Sequence, residues 1–141
     1  MPKLSSEASP LVAAMTEENL QNAVIELARW CGWRVHHVRA ARSAQGWRTP
    51  LQGDVGFFDL VLSKAGTVIF AELKSEQGRL RPDQVKWGEA LSGEEQWSGR
   101  AVREVVGGGS VAVVVWRPRD WVSGEIEAVL RDGPGLGVRA S

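Results

Sequence analysis

The stretch from Asp59 to Lys74, DLVLSKAGTVIFAELK, places three ionisable side chains, Asp59, Glu72 and Lys74, in strands whose pattern otherwise demands burial. Two apolar runs, Val55 to Leu62 and Thr67 to Leu73, flank Ser63-Lys64-Ala65-Gly66 and predict a β-hairpin. A turn centred between Ala65 and Gly66 pairs Asp59 with Glu72 across that hairpin. Because side chains two residues apart share a strand face, Lys74 then stands beside Glu72 on the face that carries Asp59. Directly opposed side chains lie roughly 4.5–5.5 Å apart at Cβ, and like charges there are destabilising. A lone ammonium offsets one carboxylate, whereas a divalent cation held by oxygens accounts for both. The bland alternative is a Lys–Glu pair on a solvated sheet face. Phe57, Phe58, Leu60, Leu62, Ile69, Phe70, Ala71 and Leu73 argue against it, because they crowd both faces with apolar groups. Charges inside such a strand are costly without partners, so the pattern predicts a site.

Around the hairpin the chain reads as one α/β domain. With 141 residues and 43% hydrophobic content, it is long enough for a sheet covered by helices and too short for two ordinary domains. Residues 1–15 read as a flexible leader, 16–131 as the domain, and 132–141, with Gly133, Pro134, Gly135 and Gly137, as a flexible tail. Thr16 suits an N-cap, with Glu17 and Glu18 in the first turn of a helix that runs to Trp30 and ends at Gly32. Leu20, Val24, Leu27 and Cys31 mark its buried stripe, which Glu17 extends, while Glu18, Asn22, Glu26 and Arg29 look outward. A strand over Trp33 to Val38 and a long loop from Ala40 to Asp54 follow. After the hairpin, Pro82 opens a helix carrying Gln84, Trp87 and Leu91 on one side, weakened by Gly88. Residues 94–106 read as helical, Val111 to Trp116 as a buried strand, and Trp121 to Leu130 as a last amphipathic helix. The order predicts an α/β sandwich on a mixed sheet, with Val111 to Trp116 as the central strand packed behind the hairpin.

Charge and cysteine content narrow the function classes. Net charge is zero, which counts against a protein that coats nucleic acid indiscriminately. Its distribution is uneven: Arg29, Arg34, Arg39, Arg42 and Arg48, with His36 and His37, occupy a stretch without Asp or Glu. Arginine outnumbers lysine thirteen to four, and the guanidinium fork can bind two phosphate oxygens. Arg39, Arg42 and Arg48 are therefore candidates for DNA phosphates, and a solvated loop is the alternative. Trp47 is the tryptophan best placed to touch DNA; Trp33, Trp87 and Trp116 fall on core positions. His37 shares a strand face with Trp33, Val35 and Arg39, where it can reach substrate or serve the structure. The single cysteine, Cys31, allows no intramolecular disulfide and reads as buried and inert. No apolar run of about 18 residues exists, which predicts a cytoplasmic protein without a membrane span.

Asp59 followed by Glu72-Leu73-Lys74 matches the Asp…Glu-x-Lys core of the PD-(D/E)xK nucleases. The wider series resembles their VRR-NUC branch, the virus-type replication-repair nucleases. It comprises Thr16-Glu17 with Leu20-Gln21, Gly32-Trp33, Gly46 to Pro50, Gly56-Phe57 before Asp59-Leu60, and Phe70 to Lys74. Gly78-Arg79-Leu80, Pro82 with Gln84, and Trp116-Arg117-Pro118 complete it. One departure is Phe58, where that family usually has proline; losing a fixed φ changes how the strand enters the site. The resemblance implies a restriction-endonuclease-like core. It also implies that Glu17 adds a carboxylate to the metal region, that the Leu73 carbonyl is a backbone ligand, and that Gln84 positions the nucleophile or the site. Asp59 and Glu72 supply hard oxygens suited to Mg²⁺ or Mn²⁺, and Lys74 can orient or deprotonate water and offset phosphate charge. The expectation is a metal-dependent DNA endonuclease. The resemblance alone points to branched or junction DNA, and cutting two related strands calls for a twofold homodimer. The alternative is a nucleic-acid-binding module that keeps the fold without cleavage.

Overall fold

The computed structural model describes residues 10–37, 41–43, 46–48 and 52–135. Residues 10–14, read from sequence as part of a leader, are helical, and helix α1 (Glu17–Trp30) follows. Thr16 caps α1: its hydroxyl accepts the Asn19 N–H at 3.0 Å, and the Asn19 side chain accepts the Thr16 N–H at 3.3 Å. Each bond satisfies a backbone donor that a helix start leaves unpaired. Leu20, Val24 and Ala28 recur at helical spacing and are fully buried, with Leu27 and Cys31 packed at their margin. At the far end the Lys64 ammonium donates to the Cys31 carbonyl at 2.6 Å, where the helix dipole favours a cation.

The remaining elements are β1 (Arg34–His37), β2 (Ala41–Ser43), β3 (Gly46–Arg48), β4 (Leu60–Lys64), β5 (Thr67–Leu73), α2 (Pro82–Ser92), β6 (Arg100–Glu104), β7 (Ser110–Trp116), α3 (Pro118–Val122) and α4 (Glu125–Asp132). Five strands form one sheet in the order β1-β4-β5-β7-β6. Only β5 and β7 run parallel, as a strand–helix–strand crossover requires; the other neighbours are antiparallel. The predicted hairpin turn is a two-residue loop in which Ala65 and Gly66 take φ of 50° and 83°. Two successive positive values match the twist of the flanking strands, and glycine relieves the strain at one of them.

Alternation along the strands divides the core. Leu60, Leu62, Ile69, Ala71, Leu73, Ala112, Val114 and Trp116 face α1 and α4. The opposite face, with Phe70, Val111, Val113 and Val115, packs against Phe58, Trp97 and the α2 residues Trp87 and Leu91. The protein is thus mixed α/β, its mixed sheet flanked by helices. Among the described residues no helix is long and apolar enough to cross a membrane.

Four features differ from the sequence reading. Within 40–54, read as loop, β2 and β3 pair as a separate antiparallel hairpin. Residues 94–106 contain β6 rather than a helix, because Arg100 to Glu104 all pair with β7, with Arg100, Arg103 and Glu104 exposed on this edge strand. The strand β7 lies beside β5 in the same sheet instead of behind it, leaving β5 as the central strand. Gly124, at φ 89°, divides the expected last helix into α3 and α4.

Helix α2 carries Gly88 for a reason that local propensity does not show. The Trp97 indole lies flat on the helix there, buried, with its N–H donating to the Val113 carbonyl at 3.1 Å. A Cβ on Gly88 would clash with Trp97 Cε3, Cζ3 and Cδ2. Helix propensity favours alanine over glycine by about 1 kcal/mol, whereas overpacking costs typically about 1–3 kcal/mol. Gly88→Ala is therefore expected to lower the thermal midpoint by several degrees, and a melt in which the variant gains stability would contradict this packing.

Candidate active site

The ladder of β4 and β5 runs from Lys64↔Thr67 to Leu60↔Ala71, the register that the turn predicted. One step further, Asp59 comes opposite Glu72, and there the ladder gives way. The Asp59 Oδ2 accepts the Leu73 N–H at 2.9 Å, taking the role a strand carbonyl would otherwise play. On the other side of β5, the Lys74 N–H donates to the Trp116 carbonyl at 3.0 Å. The chain around Glu72 is thereby fixed from both edges. Leu73 points into the core shared with α1, so Glu72 and Lys74 emerge on the face covered by α2.

Glu72 is 3% exposed. Its Oε2 accepts a 2.6 Å hydrogen bond from Gln84 Nε2, and the Lys74 ammonium lies 3.8 Å from the same oxygen. Gln84, 4% exposed, is held in turn: its Oε1 accepts the Arg81 N–H at 2.9 Å at the start of α2. Since an amide offers its donor on one side and its acceptor on the other, these two partners fix which way it points. Gln84 is therefore a brace for Glu72. The remaining oxygen, Glu72 Oε1, is buried with no hydrogen-bond partner among the described residues. A buried lone pair without a donor costs free energy. Burial first, and then the Asp59 charge, push the Glu72 carboxyl up to about 8, while Lys74 works the other way.

The donor set fits a hard divalent cation. Two carboxylates, one with an unpartnered oxygen, offer ligands of the type Mg²⁺ takes, and Mg²⁺ commonly uses one or two carboxylates and keeps several waters. Glu17 does not complete a triad. No group of three or more His, Cys, Asp or Glu side chains gathers among the described residues. Glu17 is exposed on the first turn of α1 instead of extending its buried stripe, although its charge still contributes to raising Glu72.

Of the residues expected to meet DNA, His37 is half-buried on the edge strand β1. Arg42 and Trp47 are cross-strand partners in the β2–β3 hairpin, where Arg48 pairs with Ala41. Their side chains, and Arg39 altogether, lie outside the described residues.

Sequence reasoning missed the aromatic support of Asp59. Phe58 is 2% exposed, its ring centroid 5.5 Å from that of Trp97. Phe57 packs edge-on against Trp87 and Phe70, and the Trp87 N–H donates to the Val55 carbonyl at 3.0 Å. The chain thus anchors the approach to Asp59 by burying the Phe58 ring. The only signal was Phe58 itself, since Trp97 lies far along the chain. A scan of protein-family models, a search of curated proteins and a search of solved structures each gave no match.

The raised Glu72 carboxyl sets a pH dependence. Below about 4.5 it is protonated in folded and unfolded chains alike. Between about 4.5 and about 8 the unfolded chain releases the proton first, so stability without a divalent cation falls as pH rises through that window. Glu72→Gln should flatten this fall in chemical denaturation measured from pH 5 to 8.5; an unchanged slope would assign it to other groups.

Proposed function

We propose that this protein is a metal-dependent DNA endonuclease of the PD-(D/E)xK type, with a VRR-NUC-like, restriction-endonuclease-like core. One observation carries the reading: a buried carboxylate in the central strand keeps an oxygen free beside a second carboxylate and an ammonium. The order α1, β1, β4–β5 hairpin, α2 and then β7 parallel to β5 supports the core assignment.

Asp59 and Glu72 would hold Mg²⁺ or Mn²⁺, with the Leu73 carbonyl as the further ligand that the resemblance implies. Such an ion supplies Lewis-acid stabilisation of phosphate charge and a more acidic water. Gln84 holds the Glu72 carboxylate in one orientation, so that Oε1 stays available. Lys74, its side chain 12% exposed, presents an ammonium at the rim of the carboxylates, where it can bind the attacking water and offset charge on the scissile phosphate. Glu17 adds negative charge at the margin. Arg39, Arg42 and Arg48, with His37 and Trp47, form the proposed DNA path, and Arg79, Arg81 and Lys86 are the alternative path beside Gln84. Branched or junction DNA as substrate, a twofold homodimer and a cytoplasmic setting complete the proposal. Phe58, where the resembled family usually has proline, favours a second reading, a binding module that keeps the fold without cleavage.

Labelled four-way, flap, single-stranded and duplex DNA, incubated with and without Mn²⁺, separates the two readings. Cleavage that needs the metal supports the endonuclease; binding without cleavage on every substrate supports the module. Lys74→Ala should lower cleavage by about two orders of magnitude or more while leaving Mn²⁺ affinity intact. Asp59→Ala should remove both, and wild-type turnover by Lys74→Ala would contradict the role given to it.

Neutralising Arg39, Arg42 and Arg48 should weaken DNA binding and flatten its salt dependence by about one unit of log–log slope for each phosphate that is no longer bound. The melting temperature should barely change. Unchanged affinity and slope would move the path to Arg79, Arg81 and Lys86.

A further inference from the structure

Lysine has a long, flexible stem, and a catalytic ammonium must be held in place. The turn that follows Lys74 runs beside that stem. A Cβ built on Gly78 would lie 3.5 Å from Lys74 Cδ and 3.0 Å from Ser75 Oγ, so Gly78 lies next to the lysine methylenes with only the room of a small side chain between them. The Gly78 N–H donates to the Ser75 carbonyl at 3.2 Å and closes the turn.

What holds the turn comes from the far end of β7. Arg117 follows Trp116, whose carbonyl accepts the Lys74 N–H. The Arg117 N–H donates to Asp120 Oδ2 at 2.8 Å, and Pro118 beside it is buried, so the Arg117 backbone is fixed. Its Nη1 donates to the Ser75 carbonyl at 2.8 Å and to the Gly78 carbonyl at 2.7 Å, with the Glu76 carbonyl at 3.4 Å. An Nη group carries two hydrogens, and the two short bonds use both. One cation thus gathers the carbonyls at both ends of the turn. A second tether lies outside it, where Arg119 pairs with the Glu76 carboxylate at 2.6 Å.

We infer that Arg117 is a positioning residue for Lys74, acting through the Ser75–Gly78 turn to keep the ammonium beside Glu72. The inference rests on the nuclease reading for its catalytic consequence but not for its geometry. Removing Arg117 leaves the Gly78 carbonyl without its donor and the Ser75 carbonyl with the Gly78 N–H alone, which loosens the turn, while Asp59, Glu72 and Gln84 keep their own partners.

Arg117→Ala and the milder Arg117→Lys test this in the full chain, below the melting temperature of each variant. Acetylation of Lys74 by N-hydroxysuccinimidyl acetate, followed by mass spectrometry, reads the freedom of the ammonium without any need for activity. Lys74 should label several-fold faster in Arg117→Ala and to an intermediate degree in Arg117→Lys. On cleaved DNA, kcat should fall about 10- to 100-fold with KM and Mn²⁺ affinity nearly unchanged, and added guanidinium should restore part of the rate. Should Arg117→Ala not fold, the labelling and kinetics of Arg117→Lys decide. Unchanged Lys74 labelling in the folded variants overturns the inference. So does a loss of kcat shared equally by Mn²⁺ affinity and deaf to guanidinium. If the wild type cleaves no DNA, the nuclease reading fails, and the labelling result still decides whether Arg117 positions Lys74.

Discussion

A carboxylate buried in the central strand of a sheet covered on both faces is the constraint on which the rest of this structure turns. Removing Glu72 from water disfavours its charge, and the nearby Asp59 disfavours it further. The protein answers with a hydrogen bond from Gln84 and an ammonium at longer range, both on Oε2, and the Asp59 backbone also favours the charged form. Oε1 receives nothing from the described residues. An apolar side chain of similar volume would have been the simpler solution for stability, because well-packed apolar residues often replace buried charges at no net cost. Retaining the carboxylate with an oxygen free fits a group kept for a ligand rather than for the fold.

The surroundings make that arrangement rigid. Asp59 leaves the ladder by accepting the Leu73 N–H, which fixes its carboxylate against the backbone of the strand that carries Glu72. Phe58 and Trp97 pack behind it, and Gly88 makes room for the indole. Aromatic pairs of this kind contribute about 0.5–1.5 kcal/mol beyond the area they bury. On the other side Arg117 and Arg119 hold the turn after Lys74. The site therefore sits between two supports, one built from residues 58–97 and the other from Arg117 and Arg119.

Much of this was legible locally. The hairpin register follows from apolar alternation and from a two-residue turn with glycine at its second position, and the register alone brings Asp59, Glu72 and Lys74 to one face. Thr16 as a cap and the face of α1 from Leu20 to Ala28 follow from helical spacing. Elements decided by distant partners were not legible. The strand β6 is charged and only briefly alternating, so its pairing with β7 decides its state. The bonds of Arg117 span 39 to 42 residues, and nothing beside it in sequence announces them. Glu17 illustrates the limit of periodicity. Its position in the stripe is right, but a first-turn residue can extend beyond the layer it aligns with, and here it is exposed.

The central claim is that Asp59 and Glu72 share a divalent cation. Crystals of the full chain soaked in MnCl₂ at pH 8.5, above the raised Glu72 pKa, test it directly by anomalous diffraction. The account predicts a peak between the two carboxylates, contacting Glu72 Oε1 and an Asp59 oxygen, with ligand distances of about 2.0–2.1 Å when Mg²⁺ replaces Mn²⁺. Ordered carboxylates with no peak between them, or a Glu72 Oε1 satisfied by a protein donor, would contradict it.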